Sequence, residues 1–218
     1  MMSDAATVIE AIKAGDTAKA QMILRENPAL GTERLPSGET ALMTALYRGH
    51  RDLARGIGAS AKNLDVFAAA AMGGIEPLRA AVAAGHVNDF AYDGWTPLHL
   101  AAFFGQADAV AQLVEAGAAL DAISRNSMRN TPLHAATAGG HTDIALLLID
   151  RGANVTLGDA ARHTPLHIAA ENGLADVVRA LLNRGADPFA VDSQDMTPLA
   201  RAAARNRNEI IDLLNERR

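Results

Sequence analysis

The chain has 218 residues and a formal net charge of -5, with 20 Lys and Arg against 25 Asp and Glu; that balance argues against a nucleic acid or an anionic membrane surface as partner. The absence of cysteine excludes disulfides, thiol nucleophiles and cysteine-ligated metal sites. Apolar residues make up 49% of the chain and aromatic ones only 4%, while alanine is about a fifth, so the core must be built from close helix contacts rather than from one centre filled with bulky rings.

The opening residues, Met1-Met2-Ser3-Asp4, show no basic stretch with an apolar segment behind it, and no apolar run of bilayer length occurs anywhere. This reads as a cytoplasmic protein, with secretion as an effector left open. Ala6 to Gly15, with Asn27-Pro28 following, fits a degenerate first helix pair. Thr40-Ala41-Leu42 with Gly49-His50 opens a second, and Leu64-Asp65-Val66 with Gly73 and Gly85 a third. The pattern then becomes explicit. Thr-Pro-Leu-His stands at Thr96–His99, Thr131–His134 and Thr164–His167, and Thr197-Pro198-Leu199-Ala200 repeats it without the histidine. Each copy is followed nine residues on by Gly105, Gly140, Gly173 or Asn206, and twelve further by Gly117-Ala118, Gly152-Ala153 or Gly185-Ala186.

One unit can be read physically. Threonine caps a helix, and proline fits its first turn, where its missing N–H is not needed. Leu98, Ala101 and Ala102 follow at helical spacing, and Gly105 ends the helix. A second helix carries stripes such as Val110, Leu113, Val114 or Val178, Leu181, Leu182. The polar remainder, such as 187–196, reads as a turn segment. Two steps depart from the rule. Gly49 to Gly58 is nine residues rather than twelve, and the turn segment after Gly58-Ala59 is short. This predicts a stunted second helix weakened by Gly56 and Gly58, a kink or looseness near 52–63, and almost no finger. The loop before Thr131 is longer by two residues, through Ser124–Met128.

These landmarks resemble ankyrin repeats, with about seven units covering the chain: 4–35, a shortened 36–60, 61–90, 91–125, 126–158, 159–191 and 192–218. The resemblance implies an all-α solenoid, a single domain of stacked helix-turn-helix units with β-turn or hairpin fingers. The alanine- and arginine-rich, lysine-poor usage suggests a bacterial type. End units must be polar outside, and Lys13, Lys19, Arg25 and Glu26 at one end, with Arg201, Arg205, Arg207, Glu209, Asp212, Glu216 and Arg217 at the other, read as solvated caps rather than a nucleic-acid patch.

Several chemical readings fail on context. His99, His134 and His167 recur at one repeat position, where the resemblance implies a structural role near the turns. His163 and His167 have the spacing of a zinc pair, but His163 precedes the cap on a loop and no third ligand is evident. Gly56-Ile57-Gly58-Ala59-Ser60-Ala61 matches a loose dinucleotide fingerprint without the strand it needs. Asn154-Val155-Thr156 is a glycosylation sequon in form only. No nucleophile motif, phosphate loop or carboxylate pair stands out, so the reading is no enzyme, no cofactor and no metal.

The resemblance implies a concave face of turn tips and first helices, at positions free to vary. Here these hold Tyr47, Arg48, Met72, Tyr92, Asp93, Trp95, Phe103, Phe104, Ser127, Met128, Asn130, His163, Glu171, Asn172, Gln194, Met196 and Arg205. Five of the eight aromatic residues fall among them. The expectation is an exposed aromatic and methionine cluster centred on Trp95, serving a non-catalytic scaffold that binds another protein. The alternatives are a small-molecule or peptide pocket at the same patch, or weak self-association of an otherwise monomeric chain.

Overall fold

The computed structural model describes residues 3–216; Met1, Met2, Arg217 and Arg218 lie outside them. Its α-helices form consecutive pairs. The first members are α1 (Asp4–Lys13), α3 (Ala41–Tyr47), α5 (Val66–Met72), α7 (Pro97–Phe103), α9 (Pro132–Ala138), α11 (Pro165–Asn172) and α13 (Pro198–Ala204). The second members are α2 (Thr17–Glu26), α4 (Arg51–Ser60), α6 (Ile75–Ala83), α8 (Ala107–Glu115), α10 (Thr142–Asp150), α12 (Ala175–Asn183) and α14 (Asn208–Asn215). No strand occurs among the described residues. First helices stack on first helices, second helices do the same except between α4 and α6, where contact is sparse, and one apolar cluster runs from Ala5 to Leu214. Alanine fills the tight places: Ala69 and Ala70, Ala101 and Ala102, Ala135 and Ala136, Ala169 and Ala170 are fully buried, which explains how so few rings suffice.

The caps are local chemistry. Thr40 Oγ1 accepts from the Met43 N–H at 3.2 Å, and Asp65 Oδ1 from the Ala68 N–H at 2.8 Å. The cap of α5 is therefore Asp65, one residue after the Leu64 landmark. Where the motif is complete, histidine takes the place usually held by Glu or Gln in a capping box: the Thr96 N–H donates to His99 Nδ1 at 3.3 Å while the His99 N–H donates to Thr96 Oγ1.

Fingers precede the first helices as closed turns. Leu35 N donates to Glu39 O, Ala91 N to Trp95 O, Ser124 N to Asn130 O, Asp159 N to His163 O and Asp192 N to Met196 O, at 2.7–3.1 Å. Successive fingers are tied by Arg125 N to Gly94 O, Ala160 N to Met128 O and Ser193 N to Ala161 O, at 2.8–2.9 Å. Two residues before each capping Thr the backbone turns left-handed. Gly38 and Gly94 occupy that place in two fingers, but Arg129, Arg162 and Asp195 adopt it in the others, with φ of 49°, 60° and 56°, a conformation that strains a residue with a Cβ.

The expectation of a stunted second helix in unit two is wrong. The helix α4 runs ten residues straight through Gly56 and Gly58 to Ser60, because Leu53, Ala54 and Ile57 bury a strong apolar face and packing outweighs the propensity cost of two glycines. The missing residues come entirely from the connection: 61–64 lead directly to the Asp65 cap, and unit three has no finger. Contact between α3 and α5 is accordingly the thinnest between neighbouring first helices.

Candidate functional site

The lost finger organises the aromatic cluster. With nothing projecting from 61–65, the finger of unit two meets that of unit four, and the Tyr92 ring fills the space that a Gly38 side chain would need. Arg34 closes the gap below by pairing with Asp65 and donating to Gly38 O. At the end of α3, Tyr47 reaches across the alanines of α5, its hydroxyl donating to Asp93 Oδ2 and its ring 6.4 Å from Trp95 and 5.4 Å from Phe104. Phe103 stands edge-on to Trp95 at 5.1 Å, and the Trp95 indole stacks on His99 at 5.9 Å. Burial, with Asp93 adding to it, pushes the Tyr47 hydroxyl well above the phenol range; Tyr92 is raised by burial to about 12. Both stay protonated donors.

The expected exposed cluster centred on Trp95 is therefore not what forms. Trp95 is only 5% exposed and acts as the floor; Phe103 and Phe104 are half-buried, while Tyr47 and Tyr92, each 39% exposed, and Met128, 48% exposed, form the rim. The covering comes from Tyr47, two units away, which no pattern within one repeat foretells. Tyr47, Tyr92, Asp93, Trp95, Phe103, Met128 and Asn130 enclose an open groove of about 440 Å³, joined by Asn126, Ala135 and Ala138. Asn126 was missed by sequence reading; its signal was the two-residue insertion it sits in. It donates to Asp93 O at 3.0 Å and accepts from Ser124 Oγ and the Met128 N–H, so the insertion folds against the neighbouring finger.

Two expected members lie elsewhere. Met72 does not join the rings: its Cε packs toward Gly58 of α4, on the second-helix side, and α5 is one residue shorter from cap to glycine than α7 or α11. Arg48, just beyond α3, is exposed. Ser127 is exposed beside Met128, and the expected residues from His163 to Arg205 lie apart from the rings, at units six and seven, several of them in polar contacts. Arg201 donates through Nε to Asp192 Oδ2 at 2.7 Å, through Nη2 to Gln194 Oε1 at 2.8 Å, and stands 3.0 Å from His163 Nε2. Glu171 pairs with Arg205 at 2.8 Å, and Asn172 donates to Thr137 O at 3.0 Å. The Asp192 carboxylate has no exposed surface. Burial drives its pKa up, but Arg201 and the N–H groups of Gln194 and Met196 prevail and hold it down at about 2. Arg201, read from sequence as a solvated cap residue, is thus mostly buried and structural.

The family profile described as ankyrin repeats matches residues 66–159 and 154–217, well over half of the chain. The chain belongs to the ankyrin repeat family. Similar proteins share shorter stretches: alpha-latrocrustotoxin-Lt1a of Latrodectus tredecimguttatus is 45% identical over 62 residues, 28% of this chain and 4% of that protein. A probable E3 ubiquitin-protein ligase, XBOS31, of Oryza sativa subsp. japonica is 34% identical over 99 residues, 44% of this chain and 22% of the ligase. The ARF GTPase-activating protein Git of Drosophila melanogaster is 46% identical over 61 residues, 28% of this chain and 8% of Git. The chain thus spans less than a quarter of the length of these relatives. Ankyrin repeats generally mediate contacts between proteins. No described helix is long and apolar enough to cross a membrane.

The histidines of the ankyrin motif form a ladder. Their Nε2 atoms reach the next finger: His99 to Asn130 O at 3.0 Å, His134 to His163 O at 2.9 Å, and His167 to Met196 O at 3.1 Å. With Nδ1 accepting from the threonine N–H and Nε2 donating to a carbonyl, both ring nitrogens are used by the neutral form. Burial lowers the pKa of all three, that of His99 to about 4. His163 and His167 sit with rings 6.2 Å apart, but His167 is spent on the ladder, and among the described residues no group of three or more His, Asp or Glu could hold a metal ion.

Proposed function

We propose that this chain is a non-catalytic adaptor, a single domain that binds another protein on the concave face of its ankyrin stack, with units two, four and five supplying the main contact. The observation that carries this reading is the groove between the Tyr47, Tyr92 and Met128 rim and the Trp95–Phe103 floor. Large apolar side chains stand exposed there although the stack does not need them, and aromatic anchors around a shaped depression are the composition of an interface hot spot. The groove is open rather than enclosed, which favours a protein segment over a small molecule. What this chain shares with the rice ligase and with Git is a stretch of repeats, which supports a part in recognition.

The rim is the place to test it. Trp95 is unsuited, because truncating a floor residue unfolds its surroundings. The double variant Tyr92→Ala and Met128→Ala removes exposed surface and leaves the melting temperature within a few degrees. Proteins retained from lysate by the wild-type chain should be lost from this variant and kept by Met22→Ala, a control residue 59% exposed on α2. Undiminished capture by the rim variant would overturn the assignment of this face.

A further inference from the structure

Two polar atoms in the residues lining the groove have no partner among the described residues. Trp95 Nε1, a donor, and Asn130 Oδ1, an acceptor, are buried without a hydrogen bond, in residues 5% and 7% exposed that line the same depression. Buried polar groups are almost always satisfied, and each exception calls for a physical reason. The Asp93 and Asn126 side chains of the lining are engaged. Asp93 is its one charged residue, and both carboxylate oxygens are taken, Oδ2 by the Tyr47 hydroxyl and Oδ1 by the Trp95 backbone N–H at 3.1 Å. The Asn126 carboxamide is held by Asp93 O, Ser124 and Met128. Beside the Asn130 amide, the rest is mainly apolar: the rings of Tyr47, Trp95 and Phe103, with Ala135, Ala138 and Met128.

We infer that the groove recognises an amide, namely one peptide group of an extended partner segment with a neutral apolar side chain beside it. The segment's C=O accepts from Trp95 Nε1–H, its N–H donates to Asn130 Oδ1, and its side chain lies against Phe103 and Ala135. The chemistry selects this occupant. An anion would find only neutral donors, no positive charge among the lining residues and the Asp93 carboxylate beside them, and a cation would have to compete with the Tyr47 hydroxyl and the Trp95 N–H for the Asp93 carboxylate. A pure hydrocarbon would leave both buried groups unpaired, which removes the gain in affinity that satisfying them provides. Both atoms are shut off from solvent in the free protein, so the segment enters by displacing Met128, an unbranched and adaptable side chain at the rim. This inference rests on the proposal that this face binds a protein and adds what it reads there.

Trp95 is the chain's single tryptophan, so its indole N–H gives one resonance in the nitrogen-labelled protein. The probe is N-acetyl-leucine amide, compared with isopentyl acetate, which keeps a branched alkyl group and a carbonyl but carries no N–H. The expected result is a saturable downfield shift of the indole N–H, with affinity in the millimolar range. Binding should weaken about fivefold to tenfold for the ester and for the Asn130→Ala protein, the loss that one hydrogen bond predicts. The ester arm uses the unaltered chain and therefore does not depend on how the variant folds. An indole resonance that stays still throughout, or an ester that binds as well as the amide, overturns the inference. If the Tyr92 and Met128 variant loses its protein partner while the indole remains unmoved by the amide, the amide reading fails alone; if neither shows an effect, both fail.

Discussion

Arg201→Met tests whether the polar network of the last two units is structural. The substitution keeps much of the side-chain length but removes the guanidinium partner of the Asp192 carboxylate, which has no exposed surface, leaving it the Gln194 and Met196 N–H groups at 2.7 and 3.1 Å and the His163 ring nitrogen at 3.6 Å. Removing one partner of a buried ion pair costs about 3–5 kcal/mol, because the surviving charge is left uncompensated. A second route gives the same order. The Asp192 pKa of about 2 against a usual 3.8 corresponds to about 2 kcal/mol at 1.36 kcal/mol per pKa unit. The loss should concentrate in α13 and α14, since repeats contact only their neighbours and the end unit can detach by itself.

The assay is urea denaturation followed by circular dichroism, with hydrogen exchange to locate the loss. Exchange of α13 and α14 amides should accelerate while α7 and α9 remain protected. Because the folded pKa of Asp192 is depressed, its contribution is present above pH 3.8 and fades as pH falls toward 2, so wild type and Arg201→Met should converge in that interval. Asp192→Asn in the Arg201→Met background keeps the acceptor for the two N–H groups and removes the stranded charge, recovering part of the loss. A single variant that is destabilised by less than about 1 kcal/mol at neutral pH, the worth of an exposed pair, would refute the reasoning.

Other consequences follow from the backbone and the histidines. Gly56→Ala should stabilise by about 0.5–1 kcal/mol, since Gly56 lies inside α4 with open space where a Cβ would go; no gain in melting temperature would restore the kinked reading of 52–63. Arg129→Gly should raise the melting temperature by relieving a φ of 49° at an exposed position, a gain of about 0.5–1 kcal/mol. Gly94→Ala should lower it, because its Cβ would meet Asn126 N at 2.7 Å. The buried histidines set a pH dependence: with His99 near 4 when folded and about 6.5 when unfolded, the stability tied to its neutral form is complete above pH 6.5 and is lost as pH falls toward 4. That loss reaches about 3 kcal/mol at 1.36 kcal/mol per pKa unit, and denaturation midpoints unchanged between pH 7 and pH 5 would contradict it.

The fold was legible because each landmark of the repeat acts within a few residues of itself. Thr96 caps three residues ahead, Pro97 needs no N–H, and the backbone at Gly105 turns left-handed at φ 77°; local chemistry of this kind leaves a local trace in sequence. The helix α4 was misjudged by the same habit, because two glycines are a local signal while the apolar face that overrides them takes its meaning from neighbouring helices. The site was half legible for a related reason. The free positions of one unit could be named, but whether a ring at such a position is rim or floor depends on what another unit lays over it. Trp95 became floor because unit three lacks a finger and Tyr47 spans the vacancy to Asp93. The same deletion appears in the sequence as a missing stretch of turn, from which the near-absence of the finger was legible and a weakness of the preceding helix was wrongly inferred. A deletion in a repeat array removes one unit's finger and also makes neighbours of two units that the regular array keeps apart. The side chains that meet across such a gap, here Tyr47 with Asp93 and Tyr92 with Gly38, are therefore where a solenoid of otherwise interchangeable units acquires a surface of its own.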